Sequence, residues 1–365
     1  YFYDSTQIIT PDGVLKAKKG NYNTVTEATE FEGNAVMDSE KYTLKGQNMV
    51  RDKLTDNNLV KGDVELFGKE DQVWVFGDEM WYKETYGNSK VYGLPGKTAL
   101  MQRPYGNKGD TLYLTADTLY TINDTINNIR QLHAYYGVQL FSNALKGVCD
   151  SLVYDYNDST ITMFTDPLLW NDDSQISAEK ITTWLANNEV DSMRLESRAF
   201  VIQEDTLSNY NQIKGRNMLA LFRNSEIRQL DVNGNSETLY FMLENDTLLM
   251  GMNRIECSNM LMVFSDSNQL QTMTFRKQAD AKFIPPHEIL EPETRLKDFK
   301  LRFDEIPEKS LLLSRMKVPL QGTGEEGEEL PTRQPPALPL PGQQIDLEKG
   351  KLPDIEKLEK PVKPD

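Results

Sequence analysis

The sequence predicts an all-β fold: an elongated, repetitive, two-walled stack of antiparallel strands, followed by an extended proline-rich C-terminal tail. Three observations predict it. Short runs of alternating apolar and polar residues fill residues 1–284, as half-buried strands require. Clusters rich in Asn, Asp and Ser separate them, at "TDNN" (55–58), "NDTIN" (123–127), "NDST" (157–160), "NDDS" (171–174), "ENDT" (244–247) and "SDSN" (265–268). These residues tolerate left-handed backbone and bond their own main chain, so they suit hairpin turns. Third, one spacing recurs along the whole block: apolar, any, small, any, any, apolar.

The spacing reads Leu44-x-Gly46-x-x-Met49, Val75-x-Gly77-x-x-Met80, Leu114-x-Ala116-x-x-Leu119, Ile176-x-Ala178-x-x-Ile181, Ile213-x-Gly215-x-x-Met218 and Ile255-x-Cys257-x-x-Met260. Leu15-x-Ala17 and Gly147-x-Cys149-x-x-Leu152 are weaker copies. The small residues fall 29, 31, 39, 33, 29, 37 and 42 positions apart, which marks a repeat architecture. The first apolar residue and the small residue are two apart and share one strand face. The next apolar residue lies three further on. It regains that face only across one extra residue. Each copy therefore marks a strand that turns a corner, with a small side chain inside the bend.

A second pattern lies between copies, in "LVKGDVELF" (59–67), "IRQLHAYYGVQLF" (129–141), "VDSMRLESRAFVI" (190–202) and "IRQLDVNGNSETLYF" (227–241), with an early version in "FEGNAVM" (31–37). Alternation runs to a Gly or Ala and then resumes. About eight units of at least two strands each predict roughly sixteen or more strands. Stacked in order, such strands form a flattened trough in which each unit touches mainly its neighbours. Alternation assigns Leu44, Met49, Val64, Leu66, Val75, Met80, Leu112, Leu114, Leu119, Leu132, Leu140, Leu152, Ile176, Ile181, Ile213, Met218, Leu230, Phe241, Ile255 and Met260 to the inner wall. Met80, Met218, Met260, Met262 and Met273 make that interior adaptable, because methionine fits variable shapes.

Residues 285–365 differ in character. They hold thirteen of the seventeen prolines and include "GTGEEGEELPTRQPPALPLPG" and "KLPDIEKLEKPVKPD". Such composition buries too little apolar surface to offset ordering entropy, so a largely extended or disordered tail is expected. Within it, "DEIPEKSLLLSRMK" (304–317) has the pattern of a short helix or a docking segment.

Several function classes are disfavoured. A net charge of −16 leaves no basic face for nucleic acid and no polybasic patch for anionic lipid headgroups. No run of about 18 apolar residues exists to span a membrane. The two histidines, His133 and His287, have no ligand-like spacing, and the Asp-rich turns lack the spacing of calcium loops. No cofactor is implied. Cys149 and Cys257 both occupy the small-residue slot, three units apart. That separation is at least about 15 Å, beyond the ~7 Å that a disulfide spans, so both are expected to be buried free thiols. The chain opens on Tyr1-Phe2-Tyr3-Asp4 without an initiator methionine, and is expected to be a processed or trimmed product.

The turns "EGNAV" (32–36) and "KGDVEL" (61–66), with the recurring "LTADTLY", "VFGDEMWY" and "ISAEKI" units, resemble the OstA-like family of periplasmic lipopolysaccharide-transport proteins. The resemblance covers about residues 10 to 284, and its motifs are structural. It implies a β-jelly-roll domain over 1–284, a periplasmic location at or near the outer membrane, and no enzymatic activity. It also implies that lipopolysaccharide, or its lipid A part, slides with its acyl chains inside the trough. Open edges would pair edge to edge with other jelly-roll components or with a second copy. The length, acidity and proline-rich tail depart from the short bridging members. Two other readings stand beside this one. The first is a β-solenoid scaffold that binds proteins or glycans on its outside. The second is an enzyme on such a scaffold, which needs clustered carboxylates that the scattered acidic residues do not supply. Trp74, Trp81, Trp170 and Trp184 are candidates for sugar stacking or for wall packing, and Trp81, next to Met80, is expected to point outward.

Overall fold

Asp side chains at the strand ends set the hairpins. Asp52, Asp124, Asp155 and Asp205 each accept backbone N–H donors two or three residues on, at 2.9–3.3 Å. The computed structural model describes residues 1–314, except 11–12, 84–86, 106–108, 144, 172, 188, 225 and 267–268. In chain order the strands are β1 (Thr6–Thr10), β2 (Gly13–Ala17), β3 (Lys19–Tyr22), β4 (Thr29–Asp38), β5 (Tyr42–Asp52), β6 (Asn57–Gly68), β7 (Val73–Lys83) and β8 (Asn88–Tyr92). There follow β9 (Ala99–Tyr105), β10 (Asp110–Ala116), β11 (Thr118–Asp124), β12 (Ile129–Phe141), β13 (Lys146–Asp155), β14 (Thr160–Phe164), β15 (Leu168–Asn171) and β16 (Ser174–Ser177). The last are β17 (Lys180–Ala186), β18 (Glu189–Glu204), β19 (Tyr210–Arg223), β20 (Glu226–Glu244), β21 (Leu248–Phe264), β22 (Leu270–Arg276) and β23 (Asp280–Ile284). All pairings are antiparallel; the fold is the elongated all-β stack that the alternation predicts, and it is compatible with the jelly-roll form that the resemblance implies.

Each rung of the stack is one long strand, or two short strands end to end, bent at its middle. The halves before and after the bend join different walls. β7, for example, pairs with β8 through Glu79–Lys83 and with β9 through Trp74–Phe76. Wall A runs through β3, β8, β11, β14, β17 and β22. Wall B runs through β2, β9, β10, β15, β16 and β23. The long strands cross from one to the other. β1 extends wall B beyond β2, and Phe2 bridges to Gly20 of β3.

The bends come in two alternating kinds. One is the predicted small slot, at Ala17, Gly46, Gly77, Ala116, Cys149, Ala178, Gly215 and Cys257. A Cβ on Gly46, Gly77 or Gly215 would lie 2.3, 2.5 or 2.5 Å from Cγ1 of Val60, Val91 or Val232 on the next rung. Where the slot holds Ala116, the residue in that place is Ala134. The slot is small because the neighbouring rung presses into it. At the other rungs two successive residues take left-handed backbone: Gly33-Asn34, Gly62-Asp63, Tyr136-Gly137, Ser197-Arg198 and Gly234-Asn235 drop out of the ladder within one strand, and Thr165-Asp166 and Lys277-Gln278 lie between β14 and β15 and between β22 and β23. Skipping two residues keeps the side-chain parity, so the inner face stays inner. The rung of β8 and β9 is the exception, with a loop at 93–98.

The folded body does not stop at residue 284, which corrects the predicted boundary. Residues 285–314 form a strap along the outside of wall B. It contains 3₁₀ turns at Pro286–Glu288, Glu291–Thr294 and Phe303–Glu305, and ends in the helix α1 (Lys309–Ser314). Prolines open the first two of these short turns and block further pairing, which is why composition alone reads as a tail. Two glutamines hold it. Gln212 donates to the Thr294 carbonyl (2.7 Å) and accepts from Leu296 N–H (2.8 Å). Gln175 donates to the Lys300 carbonyl (2.8 Å) and accepts from Arg302 N–H (2.7 Å). Each side-chain amide thus serves a carbonyl and the N–H two residues on, as a neighbouring strand would. Arg302 adds pairs with Asp166 and Glu305, and Lys309 lies 4.8 Å over the Tyr113 ring. Beneath the strap is a second apolar cluster of Phe200, Ile202, Leu239, Phe241, Met252, Ile284 and Leu296. The short-helix expectation for 304–317 holds for residues 309–314; the predicted tail from residue 315 on lies outside the described residues.

Candidate lipid-binding interior

Two apolar ladders face each other between the walls. In wall A, register partners run through Phe31, Met49, Val60, Met80, Val91, Leu119, Ala134, Leu152, Met163, Ile181, Leu195, Met218, Val232, Met260 and Phe275. In wall B they run through Leu15, Met37, Leu44, Leu66, Val75, Met101, Leu114, Leu140, Gly147, Leu169, Ile176, Val201, Ile213, Thr238 and Ile255. Every predicted inner-wall residue except Phe241 faces this interior. Val64, Leu112, Leu132 and Leu230 sit beside the two central rows and are at most 4% exposed. Leu66, Ile176 and Ile213 are half-buried, and the rest are buried.

Phe241 is a correction: it packs outside wall B, under the strap. The polarity of β20 is inverted there. Ser236 and Thr238, each 1% exposed, face inward and donate to the carbonyls of Val232 (3.1 Å) and Gln212 (3.0 Å), while apolar Leu239 and Phe241 face the strap. Burial on both faces removes the alternation that would have shown it.

The walls differ in chemistry. Met49, Met80, Met163, Met193, Met218, Met260, Met262 and Met273 line wall A, whereas the inner methionines of wall B are Met37 and Met101. Wall A is therefore the more adaptable surface, and wall B, braced outside by the strap, the stiffer one. In the row nearer its turns, wall A is polar at first, through Thr29, Arg51, Asn58, Tyr82, Ser89 and Thr121. From Leu132 on it is mainly apolar, through Tyr154, Ile161, Thr183, Met193, Ala220, Leu230 and Met262. The side chains of both walls meet, and the interior forms one continuous core cluster.

The copies without a small slot were the ones missed from the sequence. Phe31, Val60, Ala134, Met163, Leu195 and Val232 belong to the same ladder. The second sequence pattern, followed through its Gly, would have found most of them. Cys149 and Cys257 are free and buried, as expected, each pointing its Sγ at the carbonyl two residues on (3.2 Å). All four tryptophans face outward. Trp74 stacks on Phe67 at 4.3 Å, Trp81 Nε1 bonds Glu79 and Tyr92, Arg194 lies over Trp184, and Trp170 pairs in register with the strap-bound Gln175. No group of His, Cys, Asp or Glu among the described residues is arranged to hold a metal ion, and no described helix is long and apolar enough to cross a membrane.

No family model matches this sequence, and no curated protein matches it.

On the outside of wall A, His133 is 3% exposed and bonded between Gln131 (3.0 Å) and Tyr135 (3.3 Å). Burial pushes its pKa down to about 4, against a smaller upward pull from Asp155. The unfolded chain therefore takes up this proton first. The stabilisation is full above pH ~6.5 and is lost as pH falls toward 4. At pH 5 the loss should be about 2 kcal/mol. Urea titrations of the parent and of His133→Phe at pH 8 and pH 5 measure it: the parent should lose about 2 kcal/mol more than the variant.

Proposed function

We propose that this protein is a lipid carrier of the lipopolysaccharide-transport kind, holding acyl chains between its walls and passing them along the stack toward the outer membrane from the periplasm. The observation that carries the reading is the pair of apolar ladders, which continue through almost every rung and end at open strand edges. Removing one CH₂ group from water is worth about 0.8 kcal/mol, so several long chains gain strongly from such an interior. The methionines of wall A supply a surface that can reshape around chains of differing length. Among the described residues, β1 at one end and β22 and β23 at the other each have one neighbouring strand, and β3 has β4 and a single bridge to Phe2. Such edges suit pairing with another jelly roll or with a second copy.

A second reading, a non-catalytic scaffold with a filled core, is favoured by the close side-chain packing of the interior. In that reading the aromatic outer faces carry the binding. The carrier reading requires wall A to move away from wall B when lipid enters. Photo-crosslinking separates them. A benzophenone side chain placed at Leu119, Met218 or Met260 should form lipopolysaccharide adducts in cells, and one at Trp81 or Arg194 should not. Adducts confined to the outward positions would overturn the carrier reading.

A further inference from the structure

Halfway along the stack the two walls are fastened at their free margins by a polar clasp. Arg103 of wall B donates from Nη1 to the Tyr154 hydroxyl of wall A at 2.8 Å, and its guanidinium lies 5.3 Å over the Tyr154 ring. Tyr154 stacks on Tyr156 with centroids 4.4 Å apart. Arg130, also of wall A, covers the Tyr156 ring at 5.2 Å. Arg130 in turn pairs with Asp71, in the turn of wall B between β6 and β7. The clasp therefore crosses the mouth twice, once through Arg103 and once through Asp71.

Its position relative to the ladders gives it a chemical meaning. Arg103 is the register partner of Leu112, whose side chain belongs to the core. Arg130 is two residues from Leu132, which is 2% exposed. Two residues of strand are about 6.8 Å, so each guanidinium sits one side-chain layer above apolar surface. That is where an amphiphile with its chains inside places its headgroup. A guanidinium has a planar fork of donors that fits phosphate in a two-point contact, and it is weakly hydrated enough for a partly buried site. Asp71 and the Tyr154 hydroxyl occupy those donors from within the protein.

Resting on the carrier reading above, we propose that Arg103 and Arg130 form a headgroup site for a phosphate-bearing amphiphile. The phosphate takes the places of Asp71 and the Tyr154 hydroxyl, so that binding and release of the clasp are one event. Wall A, which carries the stacked tyrosines, is then free to move from wall B where the chains enter. The same exchange explains how an acidic protein accepts an anionic lipid: two guanidiniums stand at the mouth and keep partners within the protein until cargo arrives.

Calorimetry on the full chain at 150 mM salt, with monomeric ligands, tests this. The probes are dodecyl phosphate, the uncharged tetraethylene glycol monododecyl ether and inorganic phosphate. The parent should bind dodecyl phosphate about tenfold more tightly than the uncharged ether, and inorganic phosphate far more weakly than either. Arg103→Gln and Arg130→Gln should each bring the two amphiphile affinities together, with ether binding kept or tightened because that arm of the clasp no longer has to open. Asp71→Asn, at an exposed margin, should tighten dodecyl phosphate several-fold and the ether by less. Equal parent affinities for the two amphiphiles would overturn the headgroup site and leave the carrier reading standing. Inorganic phosphate binding as tightly as dodecyl phosphate would reduce the site to a plain anion site. Failure of both amphiphiles to bind would overturn the carrier reading itself. Should an arginine variant lose both amphiphiles through misfolding, Asp71→Asn decides: an unchanged dodecyl phosphate affinity counts against the proposal.

Discussion

Replacing Gln212 with leucine should destabilise the protein by about 3 kcal/mol and lift the strap from wall B. The side chain is fully buried and serves two strap groups at once, the Thr294 carbonyl and the Leu296 N–H. Leucine fills similar space but pairs with neither. A buried donor or acceptor left without a partner costs about 1–3 kcal/mol, and two are stranded here. The effect should be local as well as global. Hydrogen exchange of residues 294–302 should speed up much more than that of the wall A strands. Adding Gln175→Leu, which strands the Lys300 carbonyl and Arg302 N–H, should extend the loss to the segment before α1. Unchanged exchange in 294–302 would mean that the apolar cluster of Phe200, Leu239 and Leu296 holds the strap without the amides.

At the bend of β19, Gly215→Ala should cost about 3 kcal/mol, because the added Cβ falls 2.5 Å from Cγ1 of Val232 and a packed core tolerates such insertion poorly. Val232→Ala alone should cost roughly 2 kcal/mol through the space it leaves. The double variant recreates the natural Ala116 and Ala134 pair, so the two losses should not add. A coupling of at least ~1 kcal/mol toward stability is expected from the urea midpoints of the four proteins. Strict additivity would show that the slot and the residue facing it are not matched.

Much of this architecture is legible in the residues. The small slot needs to be small for a reason that sequence exposes, since Gly46, Ala116 and Gly215 recur between apolar residues at one spacing. The turns are legible because Asp52, Asp124 and Asp155 cap their own backbone. The slot cysteines and the outward tryptophans follow from parity alone. The strap is not legible, because its recognition runs through its main chain: Gln175 and Gln212 bind carbonyls and N–H groups that every residue possesses. Phe241 was misplaced for a related reason. The strap makes the outside of wall B apolar, and polarity no longer separates the two faces of β20. One signal was present, the unbroken run Ala199-Phe200-Val201-Ile202, which reads as a strand covered on both sides. The clasp was hidden differently. Arg103 and Tyr154 are 51 residues apart and meet only because opposite walls close over one mouth.

The strap also works as a gauge. It leaves the last rung, crosses wall B against the direction of growth, and reaches Tyr113 of β10. Its span fixes how many strands fit between those points. Inserting another strand pair between β10 and β21 would leave Gln175 and Gln212 out of step with the backbone groups they hold, unless the strap lengthened in register. Among the described residues the strap makes no such contact with the rungs before β9. Relatives of this chain should therefore vary in size by gaining or losing units near the amino terminus, while keeping the count from β10 onward constant.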